Sequence, residues 1–364
     1  MKKKTKDILL ISLFIALIVL GFFVNIIVKD KNISVSERRK LKQFPKITIK
    51  RLMEGKISND FETYAMDQFV GRDFFRNIKA ITNFNILRKK DNNGYFMKNN
   101  IIYKQTGKLK ENEVNLAINK INNVKEKYLK DNKVYYAIVP DKCYYLQDYE
   151  LKMDYNKLEE MLNENLKDIK YINIFDILSK NDYYNTDTHW KQESILKIAK
   201  KISKAMTGNF EIGEITINNK GEFNGVYSGQ IGLPIKEKDT LKYITTPEME
   251  NCTTLNYETN SENKIYDEEK WNNSQDKYDY FLSGPTPLIS INNPNQANGK
   301  ELIIFRDSFG SSLAPLLAEN YSKITLVDLR YISESKLEEY IDFTNQDVLF
   351  IYSTLVLNEG SIFK

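Results

Sequence analysis

Histidine and cysteine are the scarcest reactive residues of this sequence. The 364 residues contain one histidine, His189, and two cysteines, Cys143 and Cys252. The cysteines are far apart and show no C-x-x-C spacing, so the sequence predicts neither a zinc site nor a disulfide framework. A metal site built on imidazole ligands is not expected either, because such sites combine several histidines.

Long runs of like charge are also absent. The 53 basic and 49 acidic residues are scattered along the chain, and the net charge is only +4. Nucleic acid is therefore not expected as a partner, because its recognition relies on a clustered basic surface. Hydrophobic residues make up 41% of the chain and charged residues 28%, which is typical of a globular protein rather than a disordered one.

One long uncharged run is present, and it lies near the amino terminus. Residues 8–28, ILLISLFIALIVLGFFVNIIV, can cross a bilayer as a helix. No A-x-A-like cleavage site follows, which favours an uncleaved signal anchor. The count of basic residues after this run favours a cytoplasmic domain. However, residues 1–7 resemble a signal n-region and a large domain can be translocated despite its charge, so we expect a cytoplasmic tail and an extracytoplasmic domain.

Two regions with different patterns follow the anchor. Residues 29–95 carry apolar residues at helical spacing, interrupted at Gly71, and predict a helical stalk. Residues 96–364 alternate short apolar runs with helical segments, which indicates an α/β domain around a buried parallel sheet. Residues 209–300 are polar with scattered β-like runs and predict a β-rich insertion. The expected elements are a hairpin at YFMKNNIIYK, strands at VYYAIVP, YINIFDIL, ELIIF, KITLVDL and DVLFIYS, and helices at residues 111–131 and 192–206, SSLAPLLAENY and SKLEEYIDF.

Two short stretches carry residues that could do chemistry. FRDSFGSS at 305–312 places Ser308 between a predicted strand and helix, where its hydroxyl is exposed close to backbone N–H groups. DTHW at 187–190 places Asp187 two residues before His189. The carboxylate could orient the imidazole, leaving Nε2 to accept the serine proton. The structural alternatives are a hydrogen-bonded histidine without a catalytic role and a helix cap at D-S-F.

These stretches belong to a wider resemblance. The chain resembles the DHHW-type bacterial proteins, relatives of the alginate acetylation proteins with an SGNH-hydrolase-like fold, from about Ser36 to its carboxyl terminus. The segments that carry the resemblance are FETYAMDQFVGR, AIVPDK, TDTHW, FNGVYSG, FRDSFGSSLAPLLAENY and FIYSTLVL. The resemblance implies a triad of Asp187, His189 and Ser308, in a chain order that implies a permuted SGNH fold. Thr188 replaces the first histidine of D-H-H-W, which leaves any role of that position in doubt.

Five further residues are candidates for the oxyanion or substrate site. Tyr352 and Ser353, at the end of the last predicted strand, are conceivable oxyanion donors. Lys142 could contact an anionic substrate or be solvated in its loop. Trp190 could stack on a sugar or pack beneath the loop. Arg306 could contact substrate or pair with a carboxylate that holds the turn.

The resemblance implies a membrane-anchored, extracytoplasmic O-acetyltransferase acting on a cell-surface polysaccharide or exopolysaccharide through an acetyl-serine. It implies a membrane-bound O-acyltransferase as the source of acetyl groups, and no cofactor is expected. Two alternatives remain open at this stage. The same triad with water as acceptor would make a carbohydrate esterase, and a triad that has drifted apart would leave a non-catalytic polysaccharide-binding or assembly factor.

Overall fold

The computed structural model describes residues 3–147, 149, 151–296 and 299–364. Met1 and Lys2 of the predicted tail, and Ala297 and Asn298 of the predicted insertion, lie outside the described residues. The chain divides into two compact units. Unit 1 contains the residues up to 93 together with residues 228–234, and unit 2 contains residues 94–227 and 235–364.

Unit 1 begins with a long apolar helix, α1 (Lys3–Ile27). An 18-residue stretch within residues 4–27 has a mean hydropathy of 2.9, so the helix is long and apolar enough to cross a bilayer. The other elements of unit 1 are β1 (Ile33–Ser34), β2 (Arg39–Lys40), α2 (Ile49–Met53), α3 (Lys56–Gln68), α4 (Arg72–Ile81) and a π-helical turn (Thr82–Ile86). Gly71, with φ of 76°, separates α3 from α4 where the sequence predicts a break.

Strands, α-helices and 3₁₀ turns make up the rest of the chain. The strands are β3 (Tyr95–Lys98), β4 (Ile101–Lys104), β5 (Val134–Val139), β6 (Lys170–Tyr171), β7 (Thr216–Phe223), β8 (Asp239–Thr245), β9 (Thr253–Asn256), β10 (Ser261–Lys264), β11 (Leu288–Asn292), β12 (Glu301–Arg306), β13 (Lys323–Val327) and β14 (Asp347–Ser353). The α-helices are α5 (Glu111–Tyr128), α6 (Tyr155–Asn165), α7 (Leu196–Thr207), α8 (Val226–Ile231), α9 (Pro247–Asn251), α10 (Glu268–Asn273), α11 (Phe309–Leu313) and α12 (Thr354–Leu357). The 3₁₀ turns are Lys142–Tyr145, Phe175–Ile177, Lys180–Asp182, Gln192–Ser194, Lys277–Tyr280, Ala314–Asn320, Glu334–Glu339 and Gly360–Ile362.

An eight-stranded mixed sheet organises unit 2, in the order β10-β9-β11-β13-β12-β14-β5-β6. The five strands from β13 to β6 are parallel, and β11, β9 and β10 are added antiparallel. The α/β class is confirmed, but the sheet is mixed rather than wholly parallel. Three strands of the predicted insertion are part of this sheet. The strand β11, LISIN, is almost entirely buried, although the sequence around it is polar.

Several element boundaries differ from the sequence expectation for local reasons. In YINIFDIL the strand ends at Tyr171, because the side chain of Asn173 accepts a hydrogen bond from the N–H of Phe175 and starts a 3₁₀ turn. The helix predicted after Ser308 changes to 3₁₀ geometry near Pro315, which has no N–H to donate. SKLEEYIDF likewise forms only a 3₁₀ turn. The hairpin at Asn99 and Asn100 is present, and both residues have the positive φ that its turn requires.

Both faces of the mixed sheet are covered by apolar side chains. Alternate residues of each central strand contribute to opposite core clusters, so that Ile304 and Ile351 lie in one cluster and Phe305 and Phe350 in the other. The carboxyl ends of the parallel strands meet at one edge, which is where α/β proteins usually build their sites. Ser308 follows β12 at this edge.

Candidate active site

The turn that carries Ser308 is held by the carboxylate of Asp307. Oδ1 of Asp307 accepts a hydrogen bond from the N–H of Phe309 at 3.0 Å, and Oδ2 accepts one from the N–H of Ser353 at 2.7 Å. Asp307 therefore ties the end of β12 to the end of its neighbour β14. Ser308 remains partly exposed while Asp307 and Phe309 are buried, so the hydroxyl is presented from a fixed turn.

Hydrogen bonds join three of the predicted site residues in series: Ser308, His189 and Asp187. Nε2 of His189 lies 2.7 Å from Oγ of Ser308, and Nδ1 of His189 lies 2.6 Å from Oδ1 of Asp187. The same carboxylate oxygen accepts the backbone N–H of His189 at 3.1 Å, which fixes the two-residue spacing. Asp187 and His189 are both buried. This is the order of nucleophile, base and orienting carboxylate that acyl transfer requires.

The loop that carries Asp187 is held by residues from two later segments. Asp239 accepts hydrogen bonds from both the N–H and the hydroxyl of Thr186, at 2.7 and 2.6 Å. Val226 donates its N–H to Oδ2 of Asp187 at 2.8 Å. Gly225 lies so close to this loop that a Cβ atom there would be 2.2 Å from the carbonyl oxygen of Thr186. Only glycine fits at position 225, and the carboxylate of Asp187 is fixed at both oxygens.

The imidazole of His189 is also held by aromatic rings. Tyr278 stacks on it with 3.7 Å between ring centroids and 4° between planes, and Phe309 contacts it at 5.2 Å. The hydroxyl of Tyr278 and Nε1 of Trp190 both bond to Oγ of Ser312, at 2.6 and 2.8 Å. Trp190 is wholly buried, so it packs beneath the loop and does not offer its face to a sugar.

Lys142 is buried against the loop that carries Asp187. Its Nζ donates hydrogen bonds to the carbonyl oxygens of Tyr184 at 3.0 Å and Asn185 at 3.3 Å. Burial lowers the pKa of Lys142 to about 7, and the negative charge of Asp187 opposes this effect. With only 3% of its surface exposed, Lys142 supports the loop from inside and is not placed to contact a substrate.

The two residues expected as second oxyanion donors, Tyr352 and Ser353, lie at the end of β14 in different surroundings. The hydroxyl of Tyr352 is buried in the core against Phe363 and has no hydrogen-bond partner among the described residues. The N–H of Ser353 donates to Asp307, and its hydroxyl oxygen accepts the N–H of Val356 at 3.4 Å as the cap of α12. The core position of Tyr352 and the use of the Ser353 N–H by Asp307 give no support to either residue as an oxyanion donor, and this part of the expectation stays a prediction.

Arg306 has a structural position rather than an exposed one. Its guanidinium is buried 4.0 Å from the carboxylate of Asp328 and donates to Oγ1 of Thr286 at 3.4 Å. Burial lowers the pKa of Arg306, and the charge of Asp328 opposes the shift. The sequence leaves two roles open for Arg306, contact with a substrate and pairing with a carboxylate. The geometry matches the second role.

Sequence reasoning missed the residues that hold Asp187 and His189 in place. Asp239 and Tyr278 stand in polar stretches without a motif, and their importance depends on contacts with distant loops. FNGVYSG was a usable signal, since it contains both Gly225 and Val226. Thr188, where the sequence departs from D-H-H-W, accepts a hydrogen bond from the hydroxyl of Tyr227 at 2.8 Å.

A mixed α/β sheet with a hydrogen-bonded Ser-His-Asp group at its carboxyl edge is an arrangement used by acyl-transferring serine enzymes. Among known families, residues 155–327 match the one described as DHHW protein. The DHHW-type resemblance is thereby confirmed. No curated protein matches this sequence.

Solved structures show the same fold at low sequence identity. A DHHW family protein from Eubacterium siraeum DSM 15702 is similar with a TM-score of 0.61 and 19% identity, over 75% of this chain and 94% of that one. PatB1 of Bacillus cereus has a TM-score of 0.60 and 21% identity, over 74% and 98% of the two chains. The O-acetyltransferase domain of Pseudomonas putida AlgJ is more remote, with a TM-score of 0.44 and 10% identity over 73% and 92%.

Proposed function

We propose that this protein is a membrane-anchored, extracytoplasmic O-acetyltransferase of a cell-surface polysaccharide or exopolysaccharide, built on a permuted SGNH-like fold. The observation that carries the proposal is the hydrogen-bonded series from Ser308 through His189 to Asp187. A non-catalytic binding factor has no need of such a series. Since every member is held by neighbouring residues, the geometry favours an enzyme.

In the first half-reaction, Oγ of Ser308 attacks the carbonyl carbon of an acetyl ester while Nε2 of His189 takes the hydroxyl proton. The carbon–oxygen bond to the donor alcohol then breaks, and His189 returns the proton to that alcohol. Asp187 keeps the imidazole in place and stabilises its positive charge. The backbone N–H of Ser308 is our proposed donor to the oxyanion of the tetrahedral intermediate.

In the second half-reaction, a sugar hydroxyl attacks the acetyl-serine and gives its proton to His189. Oγ of Ser308 leaves and regains that proton, so the free enzyme is restored and the acetyl group is on the polysaccharide. Water attacking the same intermediate would make the protein an esterase. The difference is therefore which nucleophile reaches the acetyl group.

The placement outside the cytoplasm rests on α1. Its apolar length supports an anchor through residues 8–28. The orientation with the amino-terminal lysines inside follows from their likeness to a signal n-region, and a membrane-bound O-acyltransferase as the source of acetyl groups follows from the family resemblance alone. In wall-stripped intact cells, added protease should digest the chain beyond Lys29. Protection of this part from protease would contradict the placement.

The catalytic proposal is tested with the full chain in detergent, an activated acetyl ester and acceptor oligosaccharides. Ser308→Ala and His189→Ala should each lower kcat by up to about 10⁶-fold, and the double variant should be little worse, because triad residues act as a unit. Ser311→Ala, one helical turn further on, is the matched control and should keep its activity.

Mass spectrometry of the oligosaccharide separates the two chemistries. Added acetyl groups, with slower release of free acetate when acceptor is present, are expected for a transferase. Rapid deacetylation of acetylated glycans without any transfer would favour the esterase. Near-normal turnover by His189→Ala would contradict both, since the chain has no other histidine.

A further inference from the structure

Unit 1 exposes an apolar groove between α3 and α4. The groove has a volume of about 730 Å³ and is lined by Phe61, Ala65, Met66, Phe69 and Phe75, with Arg72, Arg76 and Lys79 among its polar lining residues. Phe74, the neighbour of Phe75, is 62% exposed, and Met66 is 58% exposed. Contiguous apolar surface of this kind marks a binding face, because water does not favour it.

The position of this face is fixed by hydrogen bonds to the end of α1 and the residues that follow it. The bonds run from the N–H of Val70 to Oδ1 of Asn25 at 2.8 Å, from the hydroxyl of Tyr64 to Oδ1 of Asp30 at 3.1 Å, and from the N–H of Lys31 to Oε1 of Gln68 at 2.9 Å. The turn between α3 and α4 therefore lies level with Asn25, which is inside the apolar run 8–28.

The depth of this turn follows from helix geometry. Asn25 is three residues before the end of the apolar run at Val28, and with a rise of 1.5 Å per residue this is about 4–5 Å along the helix. Amphipathic segments that lie in a membrane surface bury their apolar face by about 5–10 Å. Phe69 and Phe74, which flank the turn, therefore stand at the depth of the membrane–water interface.

We propose that the turn between α3 and α4, with the flanking Phe69 and Phe74, and the adjoining apolar face of α3 and α4 insert into the lipid interface beside α1. This inference rests on the proposed membrane crossing by α1. The occupant of the groove is then the lipid surface, which is continuous with the surface of the anchor helix. Lys79 is exposed and gives the groove a cationic group that suits anionic headgroups, whereas Arg72 and Arg76 already pair with Glu37. Unit 1 is attached to the bilayer at two places, by a spanning helix and by an inserted turn.

Nitroxide labels on the full chain, reconstituted in phosphatidylcholine–phosphatidylglycerol vesicles, test this inference. Cysteines are introduced one at a time as Phe74→Cys, Thr63→Cys and Leu17→Cys, while the native Cys143 and Cys252 are buried and the unsubstituted chain serves as the labelling control. Thr63 is exposed on α3 and lies outside both the groove and the inserted turn, which Phe74 flanks. The ratio of collision rates with oxygen and with a water-soluble nickel complex reports the depth of each label.

The inference predicts that the Phe74 label collides mainly with oxygen, as the Leu17 label does, and that the Thr63 label collides mainly with nickel. If Leu17 is lipid-exposed but Phe74 matches Thr63, the insertion is wrong while the anchor stands. If Leu17 itself is exposed to nickel, the anchor is wrong and the insertion falls with it. If the Phe74 label is shielded from nickel in native membranes but not in pure lipid vesicles, the insertion is wrong and the face binds a protein partner instead of lipid. None of these readings depends on acetyltransferase activity.

Discussion

The two units of this protein place their phenylalanines in opposite environments. Unit 2 buries Phe175, Phe281, Phe305 and Phe350 to 2% exposure or less, whereas unit 1 leaves Phe44, Phe61, Phe69, Phe74 and Phe75 at least 44% exposed. A domain the size of unit 2 can remove its apolar surface from water by itself. Unit 1 has few buried apolar side chains. We infer from this that its exposed aromatic residues are arranged for contact with something outside the chain.

Polar groups follow the same contrast. Unit 2 fully buries the charged side chains of Asp187 and Arg306 and nearly all of Lys142, and each has named partners. In unit 1, Arg39 pairs with Asp67 while 41% of the arginine side chain stays exposed. Buried charges are strongly destabilising when a partner is lost, and exposed pairs contribute little. The interior of unit 2 should therefore be far less tolerant of change than the surface of unit 1.

Truncating one phenylalanine in each unit gives the largest expected difference in stability. Phe305→Ala removes a ring that stacks on Phe350 with 4.5 Å between centroids, and it should lower the free energy of unfolding by about 3–5 kcal/mol. Phe74→Ala removes an exposed ring and should change it by less than about 0.5 kcal/mol in detergent. Circular dichroism during denaturant unfolding measures both. Comparable losses in the two variants would contradict the contrast.

A pH series on Lys142 tests the contrast for charge. Burial lowers the pKa of Lys142 to about 7 from its ordinary value of 10.5, so between these pH values the unfolded chain binds a proton that the folded chain does not. The contribution of Lys142 to the free energy of unfolding is therefore lowest below pH 7, and it rises with pH up to about 10.5. Between pH 8 and pH 9.5 the parent chain should gain about 2 kcal/mol more than Lys142→Met.

Tryptophan fluorescence during urea unfolding provides the measurement for that series. Trp190 and Trp271 are the only tryptophans of the chain, and both belong to unit 2, so the signal reports on this unit alone. Lys79→Met, in unit 1 and exposed, is the matched control and should follow the parent chain. Equal pH slopes for the parent chain and Lys142→Met would show that Lys142 stays protonated when folded.

What could be predicted from the sequence depended on local patterns. The strands β5, β12, β13 and β14 are continuous apolar runs, and all four occur where the runs predict them. Asp187 and His189 are two residues apart, and Ser308 stands between a strand and a helix, so each half of the group is marked locally. The family resemblance joined the two halves, because Ser308 lies 119 residues from His189. Such local patterns predict the structure correctly because each depends only on residues that are neighbours in the chain.

What could not be predicted depended on strand phase and on distant contacts. Tyr352 looked like an oxyanion donor because it ends a strand, but alternation along β14 places it on the same interior face as Val348 and Phe350. Asp239 binds a loop more than fifty residues earlier in the chain, and no local period marks it. The support of the site therefore lies in contacts that only the tertiary structure shows.

The smallest predicted effect concerns Tyr278, a buried ring of unit 2 that could contribute to turnover as well as to stability. Tyr278→Leu removes the ring that stacks on His189, and such ring pairs contribute about 0.5–1.5 kcal/mol. If the ring positions the imidazole, kcat on an activated acetyl ester should fall by about 2–10-fold. Tyr278→Phe keeps the ring and loses only the hydroxyl bond to Ser312, which retains its bond from Trp190. It should leave kcat nearly unchanged while lowering the free energy of unfolding by about 1 kcal/mol. Equal losses of kcat in both variants would assign the effect to the Ser312 hydrogen bond instead of the stacked ring.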